Sequence, residues 1–130
     1  MYDFRWPALV TLGMVALLFL MAINVGRARM KYGVAAPATS GNADFERVFR
    51  VQMNTLENAM LFLPSLWVFA VYLSANGAAA LGLVWLASRL WYSVAYQQAA
   101  ERRGPAFGVS MLCVVLLAGG GAWGIIKSMS

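Results

Sequence analysis

The 130-residue chain is too apolar for an ordinary water-soluble domain, because 62% of its residues are hydrophobic and only 12% are charged. Its net charge of +5 comes from basic residues in short segments between apolar blocks, which is typical of membrane topology and fits nucleic-acid binding poorly. Since the chain has no histidine and a single cysteine, histidine-based triads, most zinc sites and an internal disulfide are excluded.

The first apolar block covers residues 7–25, carries no charge and has the length of a membrane-spanning helix. Pro7 suits the first helical turn, where its missing N–H does no harm. The block is too long and continuous for the apolar region of a signal peptide, and no small-x-small cleavage site follows it, so we expect a retained helix. Arg27, Arg29 and Lys31 come next and are predicted to stop the helix at a membrane interface.

The second block covers residues 45–73, after a segment, 33–44, whose glycine, proline, serine and asparagine residues predict a loop. Asp44 is the predicted N-cap. The block is polar at its start and apolar from Ala59 onward. Pro64 lies inside it and predicts a kink, which neighbouring helices must cover.

The third and fourth blocks complete the chain. A tight turn at 74–77 leads into a helix predicted over 78–96, and a polar loop at 97–105 separates it from a helix predicted over 107–126. The four spans predict an all-α membrane protein, a single domain in which four transmembrane helices form an up-down bundle. The sequence AGGGAWG in the last block predicts close helix packing through small residues.

Basic residues are distributed unequally between the two sides of this bundle. In an up-down arrangement, the first and third loops share one side, and both termini lie on the other. The terminal side carries Arg5 and Lys127. The loop side carries Arg27, Arg29, Lys31, Arg47, Arg50, Arg102 and Arg103. The positive-inside rule therefore predicts cytoplasmic loops one and three, with both termini on the opposite side.

The second helix carries a ladder of polar side chains into its apolar half. Arg50, Asn54 and Glu57 are spaced four and three residues apart and so share one helix face. Arg47 lies near the same face, one turn closer to the loop. Glu57 lies about 10 Å deeper than Arg50, at about 1.5 Å per residue. Polar and charged groups at such depth are costly and commonly functional.

The third helix carries a matching ladder in the opposite direction, with Tyr96 at the loop end and Tyr92 and Arg89 below it. Arg89 should lie at about the depth of Glu57, so we expect the two to pair, because each alone would be an unpaired buried charge. An alternative is that these groups only make structural hydrogen bonds between packed helices. If the pair forms, the remaining arginines predict an acidic small ligand or acidic lipid headgroups as their partner.

Three segments carry a resemblance to a known family. They are FERVFRVQMNTLE at 45–57, INVGRARMKYGV at 23–34 and ALGLVWLASRLWYSVAYQQ at 80–98. The chain resembles the MAPEG family, the membrane-associated proteins in eicosanoid and glutathione metabolism. The pattern RxxxNxxE entering a four-span chain is its most specific part. The likeness is strongest to the microsomal glutathione transferase and peroxidase branch.

The resemblance implies a homotrimer that binds glutathione between subunits near the cytoplasmic face, in a cleft lined by the second helix of one subunit and the third helix of the next. In that arrangement, Glu57 and Arg89 need not pair within one chain. It also implies that Arg103, or its neighbour Arg102, stabilises the glutathione thiolate. Leukotriene synthesis is disfavoured, because Met30 follows Arg29 where the leukotriene-type members have a second arginine. The candidate glutathione-binding residues are Arg29, Arg47, Arg50, Gln52, Asn54, Glu57, Arg89, Tyr92 and Tyr96.

The predicted function is a membrane-bound glutathione transferase, with glutathione-dependent reduction of lipid hydroperoxides as a further activity. The partners are glutathione as co-substrate, a lipophilic electrophile or hydroperoxide, and membrane lipids. A non-enzymatic lipid-binding or scaffold protein of the same fold is the first alternative, and it predicts a degraded polar ladder. A small multidrug exporter is the second, but it needs a carboxylate in the first helix, and residues 7–25 contain none.

Overall fold

The computed structural model describes residues 3–98 and 103–130, which form four helices. These are α1 (Arg5–Tyr32), α2 (Ala43–Tyr72), α3 (Ala75–Gln98) and α4 (Gly104–Met129). Each is long and apolar enough to cross a membrane, which confirms the predicted four-helix bundle. We call the end that carries the α1–α2 and α3–α4 connections the loop end, and the end that carries the α2–α3 turn and both termini the terminal end.

The helix α1 is longer than predicted at its loop end. Arg27, Arg29 and Lys31 do not stop it, because α1 continues to Tyr32. Arginine and lysine are good helix formers, and basic side chains in the last turn complement the helix dipole. The helix ends instead at Gly33, which adopts a left-handed conformation with φ 68° and donates its N–H to the carbonyl of Arg29.

The start of α2 also differs from the prediction, because its N-cap is Asn42 and not Asp44. The Asn42 side chain accepts hydrogen bonds from the backbone N–H groups of Asp44 at 2.9 Å and Phe45 at 3.0 Å. Asp44 therefore lies in the first turn, where its charge complements the helix dipole. The helix continues through Pro64 to Tyr72, and the kink at Pro64 stays a prediction.

The helices α2 and α3 each pack against the other three helices. Near the middle of the bundle, the rings of Phe62 and Trp85 stack with their centroids 4.0 Å apart. At the terminal end, α4 approaches the backbone of α2 through glycines. A Cβ atom placed on Gly124 would lie 2.5 Å from the carbonyl oxygen of Tyr72. The close packing predicted for the glycine run is confirmed.

The outer surface of the bundle is apolar along α1, where Leu9, Leu12, Phe19 and Leu20 are all more than half exposed. Side chains of this kind suit contact with lipid hydrocarbon. The four apolar helices and this surface fit an integral, multi-pass membrane protein. The cytoplasmic location of the loop end stays a prediction.

Candidate functional site

An open cavity of about 290 Å³ lies at the loop end between α2, α3 and the start of α4. The two ladders predicted from helical spacing converge there, since α2 and α3 each place one polar face toward it. Its lining residues are Arg50, Met53, Asn54, Glu57, Tyr92, Tyr96 and Arg103. All but Met53 are residues that the sequence singled out. An adjoining cavity of about 330 Å³ shares three of them and adds Gly104 and Phe107 from α4.

The charge of the cavity is positive. Arg50 and Arg103 contribute two exposed guanidinium groups, whereas Glu57 is the one carboxylate among the described lining residues. The guanidinium of Arg103 lies over the ring of Tyr96, 5.3 Å from its centroid. Such a contact holds a flexible side chain near the cavity while leaving its N–H donors for a ligand. The arrangement favours a ligand that carries more negative than positive groups.

The two tyrosines form an ordered wall on the α3 side of the cavity. Tyr92 and Tyr96 are both buried, and their ring centroids lie 5.6 Å apart. Tyr92 also contacts the ring of Phe107 at 6.3 Å and the guanidinium of Arg89 at 4.2 Å. Each ring therefore packs against side chains of the protein itself.

The predicted pair between Glu57 and Arg89 within one chain is wrong. Arg89 is fully buried, whereas Glu57 is exposed, and no ion pair joins them in the described part of the chain. The prediction used only the depth of the two residues along their helices. Pairing also depends on the direction in which each side chain points around its helix. At about 100° per residue, Glu57 points about 160° away from Thr55, which lies at the centre of the buried face of α2. Glu57 therefore faces the open side of the cavity.

Neutral groups satisfy Arg89 in place of the acid. Its guanidinium donates to the hydroxyl oxygen of Thr55 at 2.8 and 3.2 Å, to the amide oxygen of Asn54 at 2.7 Å and to the hydroxyl oxygen of Ser110 at 3.0 Å. Thr55 and Ser110 were missed in the sequence. Ser110 could have been found as a hydroxyl within an apolar helical segment, whereas Thr55 lies beside Asn54 in the polar start of α2 and carries no such signal.

Arg29, Arg47 and Gln52 do not line the cavity. Arg29 donates to the carbonyl of Ala38 at 2.7 Å, and Arg47 pairs with Asp44 at 3.1 Å near the helix start. These contacts keep both arginines near the α1–α2 connection.

Gln52 and Arg102 are the remaining candidates on the loop side. Gln52 is half-buried on α2 and is absent from the cavity lining. Arg102 lies outside the described residues. The described candidates therefore form three groups. Those lining the cavity are Arg50, Asn54, Glu57, Tyr92, Tyr96 and Arg103; Arg89 is buried and does not line it; and Arg29, Arg47 and Gln52 are absent from its lining.

Comparison with known proteins identifies the family of the chain. The family model of the MAPEG family matches residues 7–123, which is most of the chain and includes the cavity-lining residues. The chain belongs to the MAPEG family. The resemblance seen in the three sequence segments is thereby confirmed.

Its relatives include both characterised and uncharacterised proteins. An uncharacterized protein of Synechocystis is 51% identical over 95% of this chain and 90% of its own length. Microsomal glutathione S-transferase 2 of Bos taurus is 42% identical over 82% of this chain and 73% of its own length. Leukotriene C4 synthase of Cavia porcellus is 44% identical over 74% of this chain and 64% of its own length.

Proposed function

We propose that this protein is a membrane-bound glutathione transferase that uses the thiolate of glutathione to attack lipophilic electrophiles. The observation that carries the proposal is the cavity itself, which gathers two guanidiniums, one carboxylate, one amide and two phenols. Glutathione has the complementary set, namely two carboxylates, one amine and one thiol. Similarity to a microsomal glutathione S-transferase supports the same reading.

In this proposal, each end of glutathione has a partner in the cavity. Arg50 binds a carboxylate, for which the planar guanidinium fork is well suited. Glu57 binds the amine, because it is the one anionic group among the described lining residues. Tyr92 and Tyr96 orient the tripeptide between them.

We further propose that Arg29, Arg47 and Gln52 act from a neighbouring subunit of a homotrimer. Within one chain they lie away from the cavity, so a role in binding requires a second copy of the chain. The openness of the cavity on the side of Arg50 and Glu57 leaves room for that copy. Arg47 would then have to exchange its contact with Asp44 for a contact with ligand.

The chemical step uses the sulfur of glutathione, and Arg103 or Arg102 stabilises its thiolate. A guanidinium beside a thiol favours the charged form and so lowers its pKa. The thiolate electron pair forms the new carbon–sulfur bond, and the leaving group of the electrophile departs with the electrons of the broken bond. With a lipid hydroperoxide, the sulfur attacks the terminal oxygen and the alcohol is released. A second glutathione then reduces the sulfenic acid to give the disulfide and water.

A membrane location gives such an enzyme access to substrates dissolved in lipid. Phe107 and Gly104 extend the polar cavity toward α4, where an apolar substrate would approach the sulfur. Exposed apolar residues on the outer faces of the helices keep this region within the bilayer.

The test measures binding and turnover on the purified, folded protein in detergent and in lipid nanodiscs. We expect saturable glutathione binding by calorimetry, conjugation of glutathione to chlorodinitrobenzene, and oxidation of glutathione by a lipid hydroperoxide. Folded protein that binds glutathione but conjugates nothing would indicate the non-enzymatic alternative. Folded protein without saturable binding in either medium would exclude the proposal.

A further inference from the structure

Arg89 is the one cavity neighbour whose role the proposed chemistry leaves unexplained. It does not line the cavity, and its side chain is fully buried where α2, α3 and α4 meet. Its guanidinium donates to Asn54 and Thr55 on α2 and to Ser110 on α4. Asn54 alone among these three also lines the cavity, so it connects the buried guanidinium to the ligand space.

The donor and acceptor chemistry of this cluster fixes the orientation of the Asn54 amide. A guanidinium has five N–H donors and no acceptor, so the Asn54 atom that faces it must be the carbonyl oxygen. The observed bond from Nη2 of Arg89 to Oδ1 of Asn54 is 2.7 Å long. The NH₂ group of Asn54 is therefore the part of this side chain that remains for a ligand.

Ser110 is oriented in the same way. Its hydroxyl donates to the carbonyl of Phe107 at 2.8 Å, so its lone pairs accept from Arg89 at 3.0 Å. No buried side-chain nitrogen or oxygen of the described residues lacks a hydrogen-bond partner. The cluster therefore has one donor–acceptor arrangement, and reversing the Asn54 amide would place NH₂ against a guanidinium.

The charge of Arg89 acts in the same direction. The three side chains that accept its hydrogen bonds are neutral, and Glu57 does not pair with it. A buried cation with neutral partners lies directly behind two lining residues, Asn54 and Tyr92. Since charges in a medium of low dielectric interact strongly, this cation favours an anionic group in the cavity.

We propose that Arg89 is a positioning residue that makes Asn54 a hydrogen-bond donor to the ligand. The proposal rests on the proposed function, in which the ligand is glutathione. It assigns Asn54 to an acceptor atom of glutathione, a carboxylate oxygen, a peptide oxygen or the thiolate, and leaves the amine to Glu57. Arg89 acts through Asn54 and does not itself contact glutathione.

Asn54→Asp tests the orientation, because the two side chains have the same shape. The new carboxylate keeps an acceptor against Arg89 but replaces the cavity-facing NH₂ with an oxygen. We expect the unfolding temperature of the ligand-free protein to equal or exceed that of the wild type, since a buried lone cation gains a counter-ion. We expect glutathione affinity to fall about tenfold or more, because a donor is lost and a negative charge meets the ligand.

Either of two results would overturn the inference. A lower unfolding temperature for Asn54→Asp would mean that Asn54 does not face Arg89. Unchanged or tighter glutathione binding would mean that Asn54 presents its carbonyl to the cavity and accepts from the amine. The unfolding measurement needs no ligand, so it tests the contact even if the wild type binds no glutathione, a result that would overturn the proposed function separately.

Arg89→Lys and Ser110→Ala form a second, matched pair that separates positioning from simple stability. Lysine keeps the charge but cannot hold Asn54, Thr55 and Ser110 at once. Ser110→Ala removes one hydrogen bond from the same guanidinium and leaves the bond to Asn54 intact. We expect both variants to lower the unfolding temperature, but only Arg89→Lys to weaken glutathione binding, by about fivefold or more. Equal losses of affinity at equal loss of stability would make Arg89 merely structural.

Discussion

The two ends of the bundle hold the same helices together by opposite means. At the loop end, a buried guanidinium and its neutral acceptors join α2, α3 and α4 around Arg89. At the terminal end, α4 meets α2 through Gly120, Gly121 and Gly124, with no side chain of its own between the backbones. Lipid removes most of the hydrophobic drive between helices, so polar bonds and close packing are the two means available. Because the close glycine packing lies at the terminal end, the loop end can contain a cavity with a net positive charge.

The boundary between these two ends lies just below the cavity, at Asn58, which follows the lining residue Glu57 in α2. There the indole N–H of Trp85 donates to the side-chain oxygen of Asn58 at 2.6 Å, and the indole ring stacks on Phe62. Below this level, the core is apolar. This difference predicts that changes to the glycines at the terminal end alter stability and not glutathione binding, whereas changes to the side chains that line the cavity alter binding.

Gly124→Ala should give the largest effect. The added Cβ would lie 2.5 Å from the carbonyl oxygen and 2.8 Å from the carbonyl carbon of Tyr72, and backbone atoms cannot move aside as a side-chain tip can. We expect a loss of about 3 kcal/mol in unfolding free energy, the upper range for overpacking. Thermal unfolding followed by tryptophan fluorescence in detergent measures it.

Gly119→Ala is the matched control, because nothing lies within 4 Å of a Cβ at that position. It should leave stability unchanged or raise it by up to about 1 kcal/mol through helix propensity. Glutathione affinity should be the same in both variants when measured on folded protein. Equal destabilisation by the two alanines would contradict the backbone contact between α4 and α2.

Arg50→Ala should give the second largest effect, and this effect should be on glutathione binding and not on stability. Loss of one charge-assisted hydrogen bond to a glutathione carboxylate costs about 2 kcal/mol, or about thirtyfold in dissociation constant. Calorimetry measures it, while the unfolding temperature should change little because Arg50 is exposed.

Arg5→Ala controls for the general loss of one positive charge. Arg5 is exposed at the terminal end, where its hydrogen bonds to Asp3 lower the pKa of that carboxyl to about 2. It should leave glutathione affinity unchanged. If Arg50→Ala behaves like Arg5→Ala, the carboxylate site lies elsewhere.

The sequence predicted the spans and most of the cavity for the same reason, namely that both depend on spacing along one helix. Long apolar blocks place four helices, and residues four and three apart share a face in any helix, so Arg50, Asn54, Tyr92 and Tyr96 converge as expected. What failed depends on contacts across helices. The hydrogen-bond partners of Arg89 depend on how α2 and α4 are rotated against α3. Matching opposite charges along the sequence does not predict that rotation.

Helix ends failed for a different reason. The sequence predicts that the charges of Arg27, Arg29 and Lys31 stop α1, but the helix ends where Gly33 adopts the left-handed backbone conformation. The contributions assigned to a neighbouring subunit, those of Arg29, Arg47 and Gln52, stay predictions, because one chain shows only that they lie apart from the cavity.

Arg103→Ala should give a smaller effect, on chemistry more than on affinity. A guanidinium stabilises thiolate over thiol, so its removal should raise the pKa of bound glutathione by about one unit, or about 1.4 kcal/mol. Because the pKa of the glutathione thiol is higher in this variant, less thiolate forms at a given pH. Ultraviolet absorbance of the thiolate, followed against pH, measures the shift.

Lys127→Ala removes a positive charge near the terminal end and should leave that titration unchanged. An unchanged titration in Arg103→Ala as well would transfer the role to Arg102. In that case the Arg102→Ala variant should show the shift, since the two arginines are adjacent in the sequence.

Asn42→Ala should give the smallest effect and shows whether the loop end depends on backbone capping as well as on Arg89. Its side chain accepts from two N–H groups at the start of α2, so its loss should cost about 1 kcal/mol of unfolding free energy. Asp44→Ala should cost less, because Asp44 contributes only a first-turn charge and an exposed pair with Arg47. Ser40→Ala, in the exposed loop before the cap, should cost nothing measurable. A larger loss for Asp44→Ala than for Asn42→Ala would restore Asp44 as the cap and move the start of α2 by two residues.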